Sequence, residues 1–264
     1  MNFHTIITQW IRHIVPALVI PMCIGILPFI AAADPANHGN LKVLVLKNSP
    51  SMSYRDSQGN LEGFSVDLAK ILCAKIKARC AIEEVLLSEV IDNIALGNAD
   101  FSTSELVPTP ERQLKVRFTE QVRQGKSFWF GKKPMKESMN FSVAVVDGST
   151  QQQWAKKVGV EHSWTIIPVK TNSDVASALL SHLADATALP TTTTLSFVRE
   201  GKLGPAGFSS LHQIDDASTW YPVAIPVTPT KKKLLNDLNE ALHEIKSNGE
   251  LEELNSKHFP MRIL

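Results

Sequence analysis

The sequence lacks most of the features that declare a function outright. It has no charge surplus: 27 Lys and Arg stand against 26 Asp and Glu in 264 residues, a formal net charge of +1. That removes the basic footprint of a nucleic-acid binder. There is no G-x-S-x-G elbow, no phosphate-binding P-loop and no H-E-x-x-H helix, so the common hydrolase, nucleotidase and metalloprotease signatures are missing. The histidines at positions 4, 13, 38, 162, 182, 212, 243 and 258 never fall at metal-ligand spacing with a Cys or another His, and no metal or cofactor is expected. Low-complexity segments and short-period repeats are also absent. What remains is 44% apolar and 20% charged, a composition that suits a packed core. It excludes a disordered, a collagen-like and a polytopic membrane chain. The length fits one or two domains at roughly 100–200 residues each.

Acidic residues are missing altogether before Asp34, and Ile14 to Ile30 carries no charge. Arg12 and His13, the apolar run and Ala31-Ala32-Ala33 match the three parts of a secretory signal peptide, residues 1–33, with cleavage before Asp34. An uncleaved anchor is the alternative, since the run nearly spans ~30 Å of hydrocarbon. Pro16, Pro21, Gly25 and Pro28 make a permanent membrane helix less comfortable. Cys23 follows Ile20-Pro21-Met22, without the small residue that a lipid-attachment site needs. Export leaves two cysteines, Cys73 and Cys80, and an even pair in an oxidising compartment reads as a disulfide, with two buried thiols as the alternative.

Past a polar leader, the chain alternates strand and helix. Leu41–Leu46 reads as a strand, Phe64–Lys77 as a helix, Cys80–Leu86 as a strand and Glu89–Leu96 as a helix stopped by Gly97-Asn98. Asp100–Ser104 begins a further strand, and Phe128–Phe130 reads as the exit from a first domain. The pattern then repeats: strands at Phe141–Val146, Trp164–Val169 and Ala186–Leu189, and helices at Thr150–Val158 and Ser173–Leu183. Tyr221–Val227 reads as one strand, followed by helices at Lys231–Ser247 and Glu250–Lys257. Such alternation argues for α/β layers.

Distributed blocks carry a family resemblance. Ser53-Tyr-Arg-Asp56 with Leu61 to Lys70, Gly97-Asn-Ala-Asp100, Thr109-Pro-Glu-Arg112 followed by Val116 and Phe118, Gly148-Ser-Thr150, and Asn248-Gly249 with His258-Phe259 resemble, in order and spacing, the extracellular solute-binding proteins of family 3. These are the capture components of amino-acid ABC importers. The resemblance implies a type II periplasmic-binding-protein-like fold: two α/β lobes joined by a two-segment hinge, with the ligand between them. Lobe 1 is then expected over residues 41–130 plus 222–264, and lobe 2 over 131–221. It also supports the Cys73–Cys80 bond, since some members have a disulfide of this spacing.

The resemblance implies a ligand site as well. Thr109 suits an N-cap and Pro110 the first helical position, which puts Arg112 in the first turn. A cation there opposes the helix dipole by about 0.3–1 kcal/mol. The family uses this arginine to grip the ligand's carboxylate, a task suited to a planar fork; a surface arginine paired with Glu105 or Glu111 is the alternative. Gly148, Ser149 and Thr150 precede a helix, with Gln152 or Gln153 completing a capping box, and the family holds the same carboxylate there. Lys47, Asn48 and Ser49 end the first strand, where doubly wound sheets present ligand contacts. Val107 and Thr191 complete the candidates.

Departures from the family pattern matter equally. Pro190 stands where the ligand's ammonium usually meets an acid, Ser49 where an aromatic ring stacks, Leu46 where an acid is frequent, and Glu105 and Val107 where small residues face the ligand. Glu105 is accordingly expected to enter the cleft, holding a cationic group or pairing with Arg112 when the site is empty. Trp129, Trp154, Trp164 and Trp220 suit either ligand stacking or core packing. The leading expectation is a periplasmic, monomeric protein that captures a small polar, carboxylate-bearing solute for an ABC permease, without catalysis. A sensory or accessory binder is the second reading. A dehydratase-like enzyme with Glu105 as its acid is the third.

Overall fold

The computed structural model describes residues 38–215 and 220–262. The expected signal segment lies outside them. Among the described residues no helix is long and apolar enough to cross a membrane.

The elements run β1 (Asn40–Leu46), a small hairpin of β2 (Tyr54–Arg55) and β3 (Leu61–Glu62), α1 (Phe64–Lys75), β4 (Arg79–Val85), α2 (Leu87–Ala95), β5 (Phe101–Ser102), α3 (Pro110–Gln113) and β6 (Arg117–Phe118). There follow β7 (Arg123–Gly131), β8 (Ser142–Val146), α4 (Thr150–His162), β9 (Thr165–Val169), α5 (Asn172–Leu180), β10 (Ala186–Pro190), α6 (Thr191–Glu200) and β11 (Ser210–Gln213). The chain closes with β12 (Trp220–Val223), β13 (Pro226–Val227), α7 (Lys232–Ser247) and α8 (Glu250–His258).

Two sheets result, one per lobe. The first has the order β4-β1-β5-β13-β6, with β1 parallel to β4 and β5. The second has the order β11-β7-β10-β8-β9, with β10, β8 and β9 parallel. Parallel strands covered on both faces must be apolar at successive positions rather than alternate ones. In β1, Val43 packs against α1, α7 and α8, while Leu44 packs against α2. In β8, Val143 and Val145 face α4, while Ala144 and Val146 face α5. Trp129 stacks on Trp164 at 5.0 Å between ring centroids, and Trp154 packs beside it, so these three tryptophans belong to the core. Cys73 on α1 and Cys80 on β4 form a disulfide with Cα atoms 6.3 Å apart.

Two chain crossings join the lobes. Residues 123–126 of β7 pair antiparallel with β12, from Val223↔Arg123 to Trp220↔Lys126. Phe128 to Gly131 already pair with β10 and β11. The first crossing therefore precedes Phe130, earlier than the sequence suggested. Phe128–Phe130 fill the second sheet, where Trp129 is completely buried, instead of leading out of the first. Gly125 is required at the crossing: a Cβ there would lie 2.5 Å from the ring of Tyr221.

Three further expectations change. The single strand anticipated over Tyr221–Val227 divides into β12 and β13, because Pro222 and Pro226 lack amide donors and Ala224 instead exchanges both backbone bonds with Leu106. Helix α4 continues through Gly159 to His162; a side chain at Gly159 would press on the Trp164 ring, so the glycine serves packing rather than termination. Helix α6 was unanticipated, since a run of four threonines favours strands. Burial of Thr192, Thr193, Thr194 and Phe197, and a bond from the Thr194 hydroxyl to the Pro190 carbonyl, override that preference.

Candidate ligand-binding cleft

Between the sheets lies a cleft lined from both lobes and from the hinge. Its first wall comes from β1, the start of α1 and the segment after β5. The opposite wall is the start of α4 and of α6.

Arg112 sits where the cap signals indicated. The Thr109 hydroxyl accepts a bond from the Arg112 amide, and Pro110 opens α3. The guanidinium is half-buried and donates to two carbonyls, Val107 on its own side at 3.0 Å and Gly148 across the cleft at 2.9 Å. Burial pushes its pKa down from the ordinary arginine value. Its hydrogen bonds thus go to neither Glu105 nor Glu111, although Glu111 favours its charged form, and it joins the lobes directly.

The facing helix start is capped as its sequence foretold. The Ser149 hydroxyl accepts from the Gln152 amide at 3.0 Å, while the Gln152 side-chain oxygen accepts from the Gly148 amide at 3.1 Å. The amides of Thr150 and Gln151 have no intrahelical acceptor, as at any helix start. Ser149 and Thr150 line the cleft, as do Val107 and Thr191.

Glu105 is in the cleft wall but not paired as anticipated. Its partner is Arg123, the first residue of β7, which donates from Nε at 2.9 Å and from Nη2 at 2.8 Å to one carboxylate oxygen, Oε2. The side chains are 0% and 6% exposed respectively. Oε1 is buried without a hydrogen-bond partner, as are the Ser104 and Ser65 hydroxyls, which line the same cleft. Glu105 takes this position with φ +54°, a left-handed conformation that a non-glycine residue rarely adopts.

Arg123 was missed in the sequence. The signal was the alternation of Arg123, Gly125, Ser127 and Trp129, which puts them on one face of a strand, and all four are buried. Tyr221, Gln151 and Ser127 were missed too. Gln151 donates to Ser127 at 2.9 Å and to the Tyr221 hydroxyl at 2.5 Å, and burial pushes the phenol's pKa up.

Lys47 is not among the residues that line the cleft. Its side chain is exposed, because the strand ends there with its amide bonded to the Val85 carbonyl. Ser49 lines the cleft, but its hydroxyl accepts from Asn172 of the other lobe at 2.9 Å. Asn48 accepts from Ser173, and Arg199 donates to Ser51 at 2.7 Å. The lobes are therefore closed on one another, joined by direct bonds from the loop after β1 to α5 and α6. No group of three or more His, Cys, Asp or Glu that could hold a metal occurs among the described residues.

Known proteins share this fold. Residues 41–261 match the family model of bacterial extracellular solute-binding proteins, family 3. The arginine-binding extracellular protein ArtP of Bacillus subtilis is 24% identical over 251 residues, covering 92% of this chain and 96% of that protein. The histidine-binding periplasmic protein of Escherichia coli K12 is 27% identical over 221 residues, covering 79% and 83%. An ancestral arginine-binding protein bound to arginine superposes with a TM-score of 0.75 at 24% identity, over 84% of this chain and 99% of that one. The two-lobed fold, the cleft and the matched span agree, and the chain belongs to the bacterial extracellular solute-binding proteins of family 3.

Proposed function

We propose that this chain is an exported, monomeric capture protein that closes around a small polar solute bearing a carboxylate and presents it to an ABC permease, without transforming it. The observation that carries the reading is the position of Arg112. Its guanidinium reaches from lobe 1 to the Gly148 carbonyl at the start of α4, so an anion placed there meets a planar donor fork and a helix N-terminus together. Ligand entry exchanges the two carbonyl bonds of Arg112 for charge-assisted bonds to the carboxylate. That exchange supplies the differential contact that hinge closure needs. Relatives named for arginine and histidine binding favour an amino acid or a related solute.

A thermal-shift screen of the purified protein against amino acids, amines and organic acids tests the reading. A ligand at 100-fold over its Kd adds about 2.7 kcal/mol of stability. At least one carboxylate should raise the Tm, Arg112→Met should abolish the shift, and the ligand should be recovered unchanged. Silence across the panel, or turnover of the stabilising compound, overturns it.

A further inference from the structure

The loop after β1 is a socket shaped within its own lobe. Ser49 and Ser53 exchange both backbone bonds, and the Phe64 amide donates to the Ser51 carbonyl at 2.9 Å. Asn48 and Ser51 take left-handed conformations to fit, with φ +48° and +61°. Helix α6 of the other lobe supplies the plug. Leu195 and Arg199, four residues apart, share one face, with Ser196 beside them. Leu195 packs against the core of the first lobe, whereas Phe197 belongs to the core of the second. Arg199 donates from Nη2 to the Ser51 hydroxyl at 2.7 Å and from Nη1 to the His258 carbonyl on α8 at 3.4 Å. The Ser196 hydroxyl lies 2.9 Å from that of Ser51 and 3.1 Å from the Pro50 carbonyl. On α5, Ser173 donates from its amide and from its hydroxyl to the Asn48 carbonyl, each at 3.1 Å.

None of Asn48, Ser51, Ser173, Leu195, Ser196 and Arg199 is among the residues that line the cleft. Solute entry, which exchanges the bonds of Arg112 on the capture reading, leaves these contacts in place. We infer that this face of α6 is a latch and Arg199 its positioning residue: through Ser51 it holds the lobes closed without help from the solute, and so sets affinity without touching what is bound. The effect on affinity rests on the capture reading above; the closure does not. A capture protein whose binding-competent state is only fractionally populated loses affinity by that fraction, whichever solute it meets.

Small-angle X-ray scattering tests this on the purified protein, stripped of any co-purified solute by unfolding in guanidinium and refolding. The natural chain should scatter as the closed structure. Ser51→Gly combined with Arg199→Met should enlarge the radius of gyration, with an unchanged near-ultraviolet circular dichroism spectrum to show that both lobes remain folded. Glycine suits φ +61°, so the loop keeps its shape. If the combination fails to fold, Arg199→Met alone takes its place. Arg199→Lys, which retains a donor, should stay closer to the natural chain than Arg199→Met. In calorimetric titration with L-arginine and L-histidine as probes, the combined variant should raise each measurable Kd at least threefold and by a common factor. A natural chain that scatters as an open form without solute overturns the inference, as does a folded variant whose curve superposes on that of the natural chain. A Kd left unchanged, or changed unequally between the probes, also overturns it. If neither probe binds, scattering alone decides. Silence across the wider screen is the separate result that removes the capture reading itself.

Discussion

Replacing Arg123 by methionine asks how much the buried pair at the hinge contributes. The substitution keeps most of the side-chain volume but leaves the Glu105 carboxylate, 0% exposed, without its counter-charge. Removing one partner of a buried pair costs about 3–5 kcal/mol, because the remaining charge has lost water and gained nothing. In a domain of this size about 1 kcal/mol moves Tm by roughly 2–4 °C, so the expected fall is about 6–20 °C. Glu105→Gly should cost less than its own broken pair implies, since glycine at φ +54° relieves about 1–2 kcal/mol of left-handed strain. The double variant removes both charges, so its loss should be smaller than the sum of the two single losses by at least ~2 kcal/mol, at the upper end of coupling between contacting residues. Urea unfolding at pH 7, followed by the fluorescence of the buried Trp129, Trp154 and Trp164, measures all four proteins. A change below about 0.5 kcal/mol in Arg123→Met, or strict additivity in the cycle, would show that the pair is not desolvated in solution and would refute the reasoning.

Other outcomes follow from the same structure. Cys73→Ala with Cys80→Ala should lose about 2–3 kcal/mol on the loop-entropy model, and a reductant should lower the unfolding free energy of the natural chain by the same amount and leave the variant unmoved. Gly63→Ala should prevent folding, because at φ +123° a Cβ would sit 2.4 Å from the Met52 carbonyl oxygen; soluble protein with an unchanged circular dichroism spectrum would contradict this. Acid should destabilise the protein through Asp67. Burial raises its pKa, but hydrogen bonds from Lys257, His258 and Lys70 outweigh burial and hold the carboxyl below its usual range. A depressed folded-state value gives stability that is complete above the unfolded value of about 3.9 and lost as pH falls through the folded value. Asp67→Asn should therefore flatten the dependence of stability on pH below about 4, and an unchanged slope would rule this out.

Legibility in the sequence followed the range of the interactions. Strands β1 and β8 could be read because runs such as Val43-Leu44-Val45 are apolar on both faces. The caps of α3 and α4 could be read because a cap is settled within four residues. The pairing of Cys73 with Cys80 was equally local. Helix α6 was not legible, since what makes Thr191–Glu200 helical is burial against distant elements rather than the preference of threonine. The cleft divided in the same way. The helix starts that carry Arg112, Ser149 and Thr150 are legible from cap chemistry, whereas a ligand role for these residues is what the family resemblance implies. Glu105 drew notice only by departing from a family pattern, and its true partner lies 18 residues on, at the hinge. Tyr221 meets Gln151 across 70 residues, and nothing in either local segment marks the meeting.

The double crossing at β7 and β12 also fixes the order in which the molecule can be completed. Five of the six strands of the second sheet, β7 to β11, are drawn from one uninterrupted stretch and can pair as soon as that stretch is available. The first sheet cannot. β13 is the strand that links β5 to β6, and α7 and α8 supply Leu234, Leu238, Leu242, Ile245, Leu251 and Leu254 to the core beneath it. The half of the protein that begins first must therefore wait, partly exposed, for the last residues to arrive. A chain stopped short by a few dozen residues would keep a finished second lobe beside a first lobe that has no way to close.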